Sequence, residues 1–327
     1  MGSQQSRRQF IINLGSLAAL SVSPARTLAS EYEPPLYPPA DLSYFDRAIT
    51  PAPPDIRFGY AAITWGGNDM QAIKEISEVG FRGVQLRSNI VKDFGDKPKA
   101  LGDLLKQNGL QFVALSGGGP RDNDYSEEEA IQAQVKHAAF MRDAGGLYLQ
   151  MTDSSRPKGR KPVAEDFKKL GRVLTEVGKR AADFGVVMAY HNHMSSLGEA
   201  PGEVDRVMEA ADNRYVKLLL DIAHYAQGGG DPAKAIRNYC DRILLLHIKD
   251  VESPAPAIAG QQPRDYRFVE LGRGKVNLPA VFAALKEIKF RGWAVVELDS
   301  VPDKARTPKE SAIISKTYLE EKLGMKI

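Results

Sequence analysis

Residues 216–221 read VKLLLD, a helical pattern follows at residues 231–239, and residues 243–249 read ILLLHIK. Two short apolar runs on either side of an amphipathic helix are typical of a βαβ unit, whose strands lie parallel in one sheet. The same alternation continues in both directions from this stretch. It predicts eight strands, at residues 57–64, 81–87, 110–116, 147–151, 186–190, 216–221, 243–249 and 293–298. It predicts helices between them, at residues 69–78, 97–108, 126–143, 164–184, 201–212, 231–239 and 278–289.

Eight such units favour one α/β fold, a single closed (β/α)8 TIM barrel over residues 57–327. The alternative is an open, doubly wound sheet. That fold is disfavoured because no glycine-rich phosphate loop follows the first strand. Residues 117–119 are all glycine, but they follow the third strand and lack the GxGxxG spacing.

The first residues resemble an export signal. Arg7 and Arg8 precede a short apolar stretch, and small residues follow at 27–29. Paired arginines, a modest apolar core and a small-residue cleavage site are typical of a twin-arginine signal peptide. We therefore expect residues 1–29 to be such a signal and the mature protein to be periplasmic or otherwise extracytoplasmic. An amphipathic N-terminal helix is the alternative.

Composition limits the partners of the remaining chain. Residues 30–56 are rich in proline and are expected to form an extended linker or strap. The net charge of +3 becomes zero once the three arginines of residues 1–29 are removed, because that segment holds no acidic residue. A neutral body argues against a nucleic-acid partner. No apolar run reaches the roughly 18–20 residues of a membrane span, so no membrane contact is expected in the mature form. Cys240 is the only cysteine, so there is no internal disulfide, and a homo-oligomer is left open.

Polar side chains mark the ends of the later predicted strands. In a parallel barrel the active site lies at the carboxyl ends of the strands. Four of the five histidines of the chain are found there. The full set is Gln150 on strand four, His191 and His193 after strand five, Asp221 and His224 after strand six, His247 and Lys249 on strand seven, and Glu297 on strand eight. Their coincidence at successive strand ends predicts one functional site.

Three of these side chains suit a metal ion. Asp221, His247 and Glu297 supply two carboxylates and one imidazole, a set that fits one divalent ion such as Mn²⁺, Co²⁺, Mg²⁺ or Zn²⁺. An ion held in this way would bind a ketone oxygen and a neighbouring hydroxyl of a sugar. It would then stabilise the negative charge formed when the carbon between them loses a proton.

Single residues in this region also have simpler interpretations. A lone Asp at a strand end is more often a helix cap than a ligand. Asp250 and Asp299 are therefore expected to be N-caps of the segments that follow them. Lys249 is expected to pair with Asp299 or Glu297.

From residue 57 to its end the chain resembles the xylose isomerase-like, or sugar phosphate isomerase/epimerase, superfamily. The motifs that carry the resemblance are residues 190–193 (YHNH), 220–224 (LDIAH), 247–250 (HIKD), 271–274 (LGRG) and 296–299 (VELD). Trp65 with Asn68-Asp69, and the pair His193-Met194, resemble the inosose dehydratase branch. The resemblance implies a metal-dependent isomerase, epimerase or lyase that acts on carbohydrates, with Asp221, His247 and Glu297 as ligands.

Two glutamines depart from the pattern of this superfamily. Its members usually offer a further Glu ligand at strand four or five, where this chain has Gln150 and two histidines. Gln150 or a histidine of residues 191–193 is expected to be the fourth ligand, but an amide cannot act as a general base. Gln85 replaces a Glu of many relatives on strand two and is expected to change a substrate contact. Without a two-glutamate shuttle, a symmetrical 3-epimerase mechanism is disfavoured.

The mechanism we expect begins with a histidine base. His193, or His191, would remove the proton beside the ketone, since an imidazole is suited to that near neutral pH. His224 and Lys249 would orient or neutralise the developing oxyanion, and Glu297 would serve both as a ligand and in catalysis. Elimination, as in a dehydratase or lyase, is favoured over epimerisation or isomerisation.

The expected partner is a small carbohydrate: a keto-sugar, a cyclitol or a 3-keto-glycoside. Trp65, Gln85, Arg87 and Arg273 are the candidate substrate-binding residues. Export favours an oxidised glycoside, because sugar phosphates are rare outside the cytoplasm. Arg87, Arg267 and Arg273 would nevertheless suit an acidic group.

Two functions of other classes are weighed against this one. A DNA-repair endonuclease on the same barrel is disfavoured by the five histidines and the neutral body. A non-catalytic sugar-binding protein would explain the two glutamines as loss of catalytic groups. Residues 252–268 contain several prolines and are expected to form a loop that covers the site.

Overall fold

The computed structural model describes residues 56–255 and 265–327. The predicted signal at residues 1–29 lies outside the described residues. So do all but the last residue of the predicted linker at 30–56, and residues 256–264 of the predicted loop.

Eight parallel strands close into a barrel in the order β1-β10-β7-β6-β5-β4-β3-β2. A further pair, β8 and β9, forms a separate antiparallel hairpin. The strands are β1 (Ile56–Ala61), β2 (Gly83–Arg87), β3 (Gln111–Ser116), β4 (Tyr148–Met151), β5 (Val187–His191), β6 (Val216–Asp221), β7 (Ile243–Ile248), β8 (Asp250–Glu252), β9 (Arg267–Val269) and β10 (Gly292–Val296). The predicted (β/α)8 TIM barrel is confirmed, and the doubly wound sheet is excluded by the pairing of β1 with β10.

Helices connect the barrel strands. They are α1 (Asp69–Val79), α2 (Val91–Phe94), α3 (Pro98–Gln107), α4 (Glu127–Ala144), α5 (Ala164–Ala182), α6 (Pro201–Ala210), α7 (Ile222–Gln227), α8 (Pro232–Asn238), α9 (Leu278–Glu287) and α10 (Pro308–Leu323). Short 3-10 turns lie at Ala62–Trp65 and Ser88–Ile90. The predicted first strand therefore runs too far, because residues 62–64 already belong to a turn.

The C-terminal helix α10 was absent from the predicted helices. Its buried residues include Ser311, Ser315, Lys316 and Glu320, so it lacks the continuous apolar stripe by which amphipathic helices are recognised. Lys316 donates from Nζ to the carbonyl of Val79 at 2.8 Å and so ties α10 to the end of α1.

The barrel interior holds its own apolar cluster. It contains Ala61, Val113, Ala114, Ala189, Leu219, Leu245, Trp293 and Val295. A Cβ atom on Gly83 would lie only 2.4 Å from the Trp293 ring, so the absence of a side chain at Gly83 makes room for the indole. A larger cluster fills the space between the strands and the surrounding helices. Apolar side chains thus fill the barrel interior, and polar groups lie at the carboxyl ends of the strands. None of the described helices is both long and apolar enough to cross a bilayer.

Candidate metal centre and active site

Four ionisable side chains form the layer directly above the apolar interior of the barrel. Side chains of a strand alternate between its two faces, so a residue two positions after an inward-facing one also faces inward. Each of the four follows a member of the interior cluster by two positions. The pairs are Ala189 and His191, Leu219 and Asp221, Leu245 and His247, and Val295 and Glu297. The alternation of β5, β6, β7 and β10 therefore brings four polar groups to one point.

One donor atom from each of these four residues lies within 4.8 Å of the others. The Oδ2 of Asp221 is 3.5 Å from His191 Nε2 and 3.4 Å from His247 Nδ1. The Oε1 of Glu297 is 3.2 Å from His247 Nδ1. All four side chains are buried. We call His191, Asp221, His247 and Glu297 the four-residue cluster.

The two carboxylate oxygens of Asp221 have different roles, one in a helix cap and one in the cluster. Its Oδ1 accepts the backbone N–H groups of Ala223 and His224, both at 2.9 Å, and so caps the start of α7. Its Oδ2 faces the cluster and is buried without a hydrogen bond. Asn192 fixes the backbone of Asp221 by accepting its N–H at 2.9 Å and donating to its carbonyl at 3.2 Å.

Gln85 orients two members of the cluster with one carboxamide. Its Oε1 lies 2.9 Å from His247 Nε2 and accepts the proton of that nitrogen, so the neutral ring has its lone pair on Nδ1. Its Nε2 donates to Glu297 Oε2 at 3.4 Å, and the other oxygen of Glu297 faces the cluster. Gln85 was predicted as a substrate contact. The structure places both ends of its amide on cluster residues, and its substrate contact stays a prediction.

Gln150 lies behind His191. Its carboxamide meets His191 Nδ1 at 2.8 Å, while the amide oxygen is buried without a partner. Amide oxygen and nitrogen are assigned from hydrogen bonding. Turning the amide by half a turn would satisfy the oxygen with an Nδ1–H and leave His191 Nε2 as a lone pair. Of the two predicted fourth ligands, His191 reaches the other cluster atoms and Gln150 contacts His191.

Lys249 places a buried ammonium beside the cluster. Its Nζ lies 3.1 Å from Glu297 Oε1, 2.5 Å from Asp299 Oδ1 and 3.7 Å from Asp221 Oδ2. The ring of Phe268, on the β8–β9 hairpin, covers it at 4.1 Å. The expected pairing of Lys249 holds for both Asp299 and Glu297.

His193 and His224 lie side by side next to the cluster. Their ring centroids are 3.9 Å apart, and His224 Nε2 lies 3.9 Å from Asp221 Oδ2. The rings of His193 and His191 are nearly perpendicular, and their centroids are 5.6 Å apart. His193 is partly exposed, whereas His224 is buried. All four histidines predicted at the strand ends are thus brought together.

Burial and charge move the pKa values of these groups in different directions. Burial lowers the pKa of His191 to about 4, and it lowers the pKa of His224 well below its usual range. Burial also opposes the charged form of His247, but Glu297 and Asp221 outweigh it and raise the pKa of His247 to about 9. Asp299 and Glu297 likewise outweigh burial and raise the pKa of Lys249 above its usual range. In the metal-free protein, His247 of the cluster and the adjacent Lys249 therefore carry positive charge.

The predicted substrate residues other than Gln85 lie at separate places. Trp65 is buried, donates from Nε1 to Glu75 at 2.7 Å and packs its edge on Tyr60. Arg87 ends β2 and is partly buried, with its Nε lacking a hydrogen-bond partner. Arg273 lies 3.9 Å from the buried Glu270.

One arginine considered for an acidic group is tied elsewhere. The guanidinium of Arg267 binds Glu252 across the β8–β9 hairpin, with Nε and Nη2 at 2.9 and 2.8 Å from one carboxylate oxygen.

The prediction that Asp250 and Asp299 are helix N-caps is wrong. Asp250 begins β8, and its carboxylate accepts four backbone N–H groups, those of Val251, Gly272, Gly274 and Val276. Asp299 binds Lys249, and α10 is capped by Thr307 instead. Asp250 is occupied by the backbone N–H groups of a nearby loop, and Asp299 is occupied by the buried ammonium of Lys249.

Two parts of the site were missed by sequence reasoning. Phe268 covers Lys249 and also packs on His224 at 4.7 Å. It is the last residue of the loop predicted at residues 252–268, but no periodicity there singles it out. Asn192 had a usable signal, since it stands between two histidines at a strand end.

This chain belongs to the xylose isomerase-like TIM barrel family, whose model matches residues 73–317. The predicted superfamily is confirmed. The chain is 27% identical over 299 residues to an inosose dehydratase of Clostridium tetani, an alignment that covers 83% of this chain and 98% of that protein. It is 30% identical over 280 residues to the rhizopine catabolism protein MocC of Rhizobium meliloti, covering 76% of this chain and 83% of that protein. These relatives confirm the predicted inosose dehydratase-like branch.

Solved structures share the fold. The structure of IOLI protein with a binding zinc atom superposes with a TM-score of 0.66 at 21% identity, covering 80% of this chain and 95% of that chain. At 21% identity, this similarity shows that the two chains share the barrel fold.

Proposed function

We propose that this chain is an enzyme that holds one divalent metal ion in the four-residue cluster and removes a proton beside a ketone. The substrate would be a cyclitol, a keto-sugar or a 3-keto-glycoside, and elimination would follow. One observation carries the proposal. His191 Nε2, Asp221 Oδ2 and His247 Nδ1 are buried without hydrogen bonds, and they converge with Glu297 Oε1 on one point. Buried polar atoms without partners are costly, so a shared ion is the simplest explanation of the arrangement.

The spacing of these atoms fits a transition-metal ion. An ion with bonds of roughly 2.0–2.2 Å to nitrogen and oxygen would need neighbouring ligand atoms a little over 3 Å apart. Three of the separations are 3.2, 3.4 and 3.5 Å, and all four atoms lie within 4.8 Å of one another. Two imidazoles with two carboxylates suit Zn²⁺, Mn²⁺ or Co²⁺ better than Mg²⁺. When bound, such an ion supplies a Lewis acid that stabilises negative charge on substrate oxygens.

The side chains around the cluster would handle the proton. His193 is the partly exposed histidine of the group and would take the proton from the carbon beside the ketone. Lys249 stays charged, because Asp299 and Glu297 hold its proton, and would favour an anionic oxygen nearby.

Elimination is the outcome that these residues favour. Gln150 stands where members of the superfamily usually have a glutamate, and its amide cannot act as the second acid/base group of a two-glutamate shuttle. As the C–H bond breaks, the proton passes to His193 and the electron pair is delocalised onto the ketone oxygen. When the C=O bond re-forms, the pair forms a C=C bond to the next carbon and the C–O bond there breaks. The proton and the departing hydroxide together account for one water lost. The inosose dehydratase relatives support a cyclitol ketone as the first substrate to test.

The test combines metal analysis with an assay on inosose. We expect one divalent ion per chain after supplementation, loss of that ion in His247→Ala, and loss of water from inosose detected by mass spectrometry. His137→Ala changes the one histidine outside the site and is the matched control. A wild-type protein that binds no ion after supplementation would refute the proposal.

Two alternatives give different results in the same assay. A ketose epimerase or aldose–ketose isomerase would exchange the proton of a ketose with D₂O and yield an isomer of unchanged mass. A sugar-binding protein without catalysis would exchange no proton from any of the three substrate classes.

We also propose export of the chain by the twin-arginine route, on the basis of Arg7 and Arg8 and the apolar stretch after them. Replacing both arginines with lysine should retain the protein in the cytoplasm, as cell fractionation would show. Unchanged distribution between fractions would contradict this.

A further inference from the structure

We propose that the backbone of one residue, Met194, sets opposite tautomers on His193 and His224. His193 would then present a lone pair, and His224 an N–H group, from their Nε2 atoms. The tautomers follow from hydrogen bonds alone. Their assignment to a base and a donor for the substrate rests on the proposed function.

His193 is the first half of this pair. Its Nδ1 lies 2.6 Å from the carbonyl oxygen of Met194. A carbonyl only accepts, so Nδ1 must carry the proton. In a neutral imidazole the other nitrogen is then unprotonated, which leaves the lone pair of His193 on Nε2.

His224 is the second half and has the reverse assignment. The backbone N–H of Met194 points at His224 Nδ1, at 3.1 Å. An N–H only donates, so Nδ1 must be the bare nitrogen and Nε2 carries the proton. A protonated His224 would set two donors against each other at this contact, so the geometry requires the neutral ring.

The two peptide groups that flank Met194 are each fixed by hydrogen bonds of their other polar atom. In the peptide that joins His193 to Met194, the carbonyl accepts from Ser196 Oγ at 2.7 Å and from Ser196 N at 3.2 Å. In the next peptide, the N–H of Ser195 donates to Glu199 at 2.6 Å. Neither peptide can turn without breaking these bonds, so the two tautomers are fixed by the loop after β5.

The loop includes a backbone conformation that supports this rigidity. Ser195 has a φ of +65°, in the left-handed region that non-glycine residues seldom adopt. Such a residue persists where surrounding contacts over-determine it. The turn from His193 to Ser196 is closed by its own backbone hydrogen bond.

The N–H of His224 lies beside Lys249, next to the four-residue cluster. Its Nε2 is 3.4 Å from Lys249 Nζ. Since both atoms carry protons, this contact is not a hydrogen bond. Asp221 Oδ2 lies 3.9 Å from His224 Nε2 and 3.7 Å from Lys249 Nζ, beyond hydrogen-bond distance of both. The two donors are suited to converge on a closer oxygen acceptor, such as a carbonyl or hydroxyl oxygen of a ketone substrate. His193, stacked on His224 at 3.9 Å, supplies the acceptor for the proton.

The tautomers can be read directly by NMR. The full-length chain, labelled with ¹⁵N-histidine and supplemented with Zn²⁺, has only five histidines to assign. Single His→Gln variants assign each ring. Long-range ¹H–¹⁵N spectra should show the proton of His193 on Nδ1 and that of His224 on Nε2. The same tautomer on both rings, the reverse pair, or a protonated His224 would overturn the inference.

Variants test the assigned roles through D₂O exchange of the inosose proton. His193→Gln has no basic nitrogen, and its exchange rate should fall at least ~100-fold. His224→Gln keeps an N–H near the position of Nε2 and should lose less than about tenfold, whereas His224→Leu should lose ~100-fold. Equal losses in the two His224 variants would overturn the donor role. If wild type exchanges no proton, the proposed function fails, while the NMR result still decides the tautomers.

Discussion

The Nε2–H of His247 donates to Gln85 Oε1 at 2.9 Å, and the Nδ1 of the same ring lies between Asp221 and Glu297. Once Nδ1 loses its proton, the ring is therefore left in the tautomer that a metal ligand needs. The same carboxamide donates to Glu297 at 3.4 Å, so one glutamine from β2 orients ligands from β7 and from the end of β10. Partners of this kind fix ring orientation and strengthen metal binding.

Removing this carboxamide should weaken metal binding. Gln85→Leu loses both contacts, so the affinity for Zn²⁺ should fall about 10–100-fold, measured by competition with a chelating dye. Gln132→Leu changes an exposed glutamine on α4 and serves as control. An unchanged affinity in Gln85→Leu would show that His247 is oriented by other contacts.

Metal binding should release a proton. The pKa of His247 is about 9 in the metal-free protein, so at pH 7 its ring is protonated between Glu297 and Asp221. An ion on Nδ1 must replace that proton. The apparent affinity for the metal should therefore rise with pH up to about 9, above which the ring of His247 is already neutral. Calorimetric titration with Zn²⁺ at pH 7, in buffers of different ionisation enthalpy, should reveal about one proton released. No dependence on the buffer would contradict the charge state of His247.

Lys249 should matter most when no ion is present. Lys249→Met leaves the buried Glu297 without its ammonium partner, which should cost the metal-free protein about 3 kcal/mol of unfolding free energy. A bound divalent ion would offset most of that loss. The rise in Tm on adding Zn²⁺ should therefore be larger in the variant than in wild type. Lys316→Met, in a buried lysine of α10, should show the wild-type rise. Equal rises in Lys249→Met and wild type would contradict the shared role of ammonium and ion.

Asp250 is expected to stabilise the structure without binding metal. Asp250→Asn would turn an NH₂ group toward backbone N–H donors, such as those of Gly272 and Gly274, and should cost about 2 kcal/mol in urea unfolding. Metal stoichiometry should stay at one. Asp241→Asn, at an exposed site, should leave stability unchanged. A stable Asp250→Asn protein that has lost its ion would place Asp250 in the metal site instead.

The left-handed conformation of Ser195 gives a test of the loop that carries His193. Ser195→Gly removes the steric cost of a positive φ and should leave stability equal or slightly higher. Ser195→Val should lose about 1–2 kcal/mol and displace His193. The two variants would be compared by thermal unfolding. A valine as well tolerated as glycine would show that the loop is not constrained.

The sequence carried enough information for the fold and for the choice of strands that form the site. The period-two alternation that ends Leu219-Leu220-Asp221 or Leu245-Leu246-His247 places an apolar and then a polar residue on one inner face. Strand order in a barrel then brings these ends together. Local pattern and topology were sufficient for that conclusion.

Contacts set by side-chain rotation could not be predicted in this way. Gln150, one residue before the end of β4, and His191, at the end of β5, lie on neighbouring strands. Only their relative orientation places His191 Nε2 at the cluster and Gln150 behind it. Gln85 reaches His247 across the barrel from a strand that does not pair with β7. The spacing of residues along the chain does not indicate which side chains meet across the barrel interior.

The central claim is that His191, Asp221, His247 and Glu297 share one ion. Anomalous diffraction from crystals soaked in Zn²⁺ tests it most directly. We predict one strong peak about 2.0–2.3 Å from His191 Nε2, Asp221 Oδ2, His247 Nδ1 and Glu297 Oε1. No peak at this point, with the four side chains ordered and Zn²⁺ bound elsewhere or not at all, would contradict it.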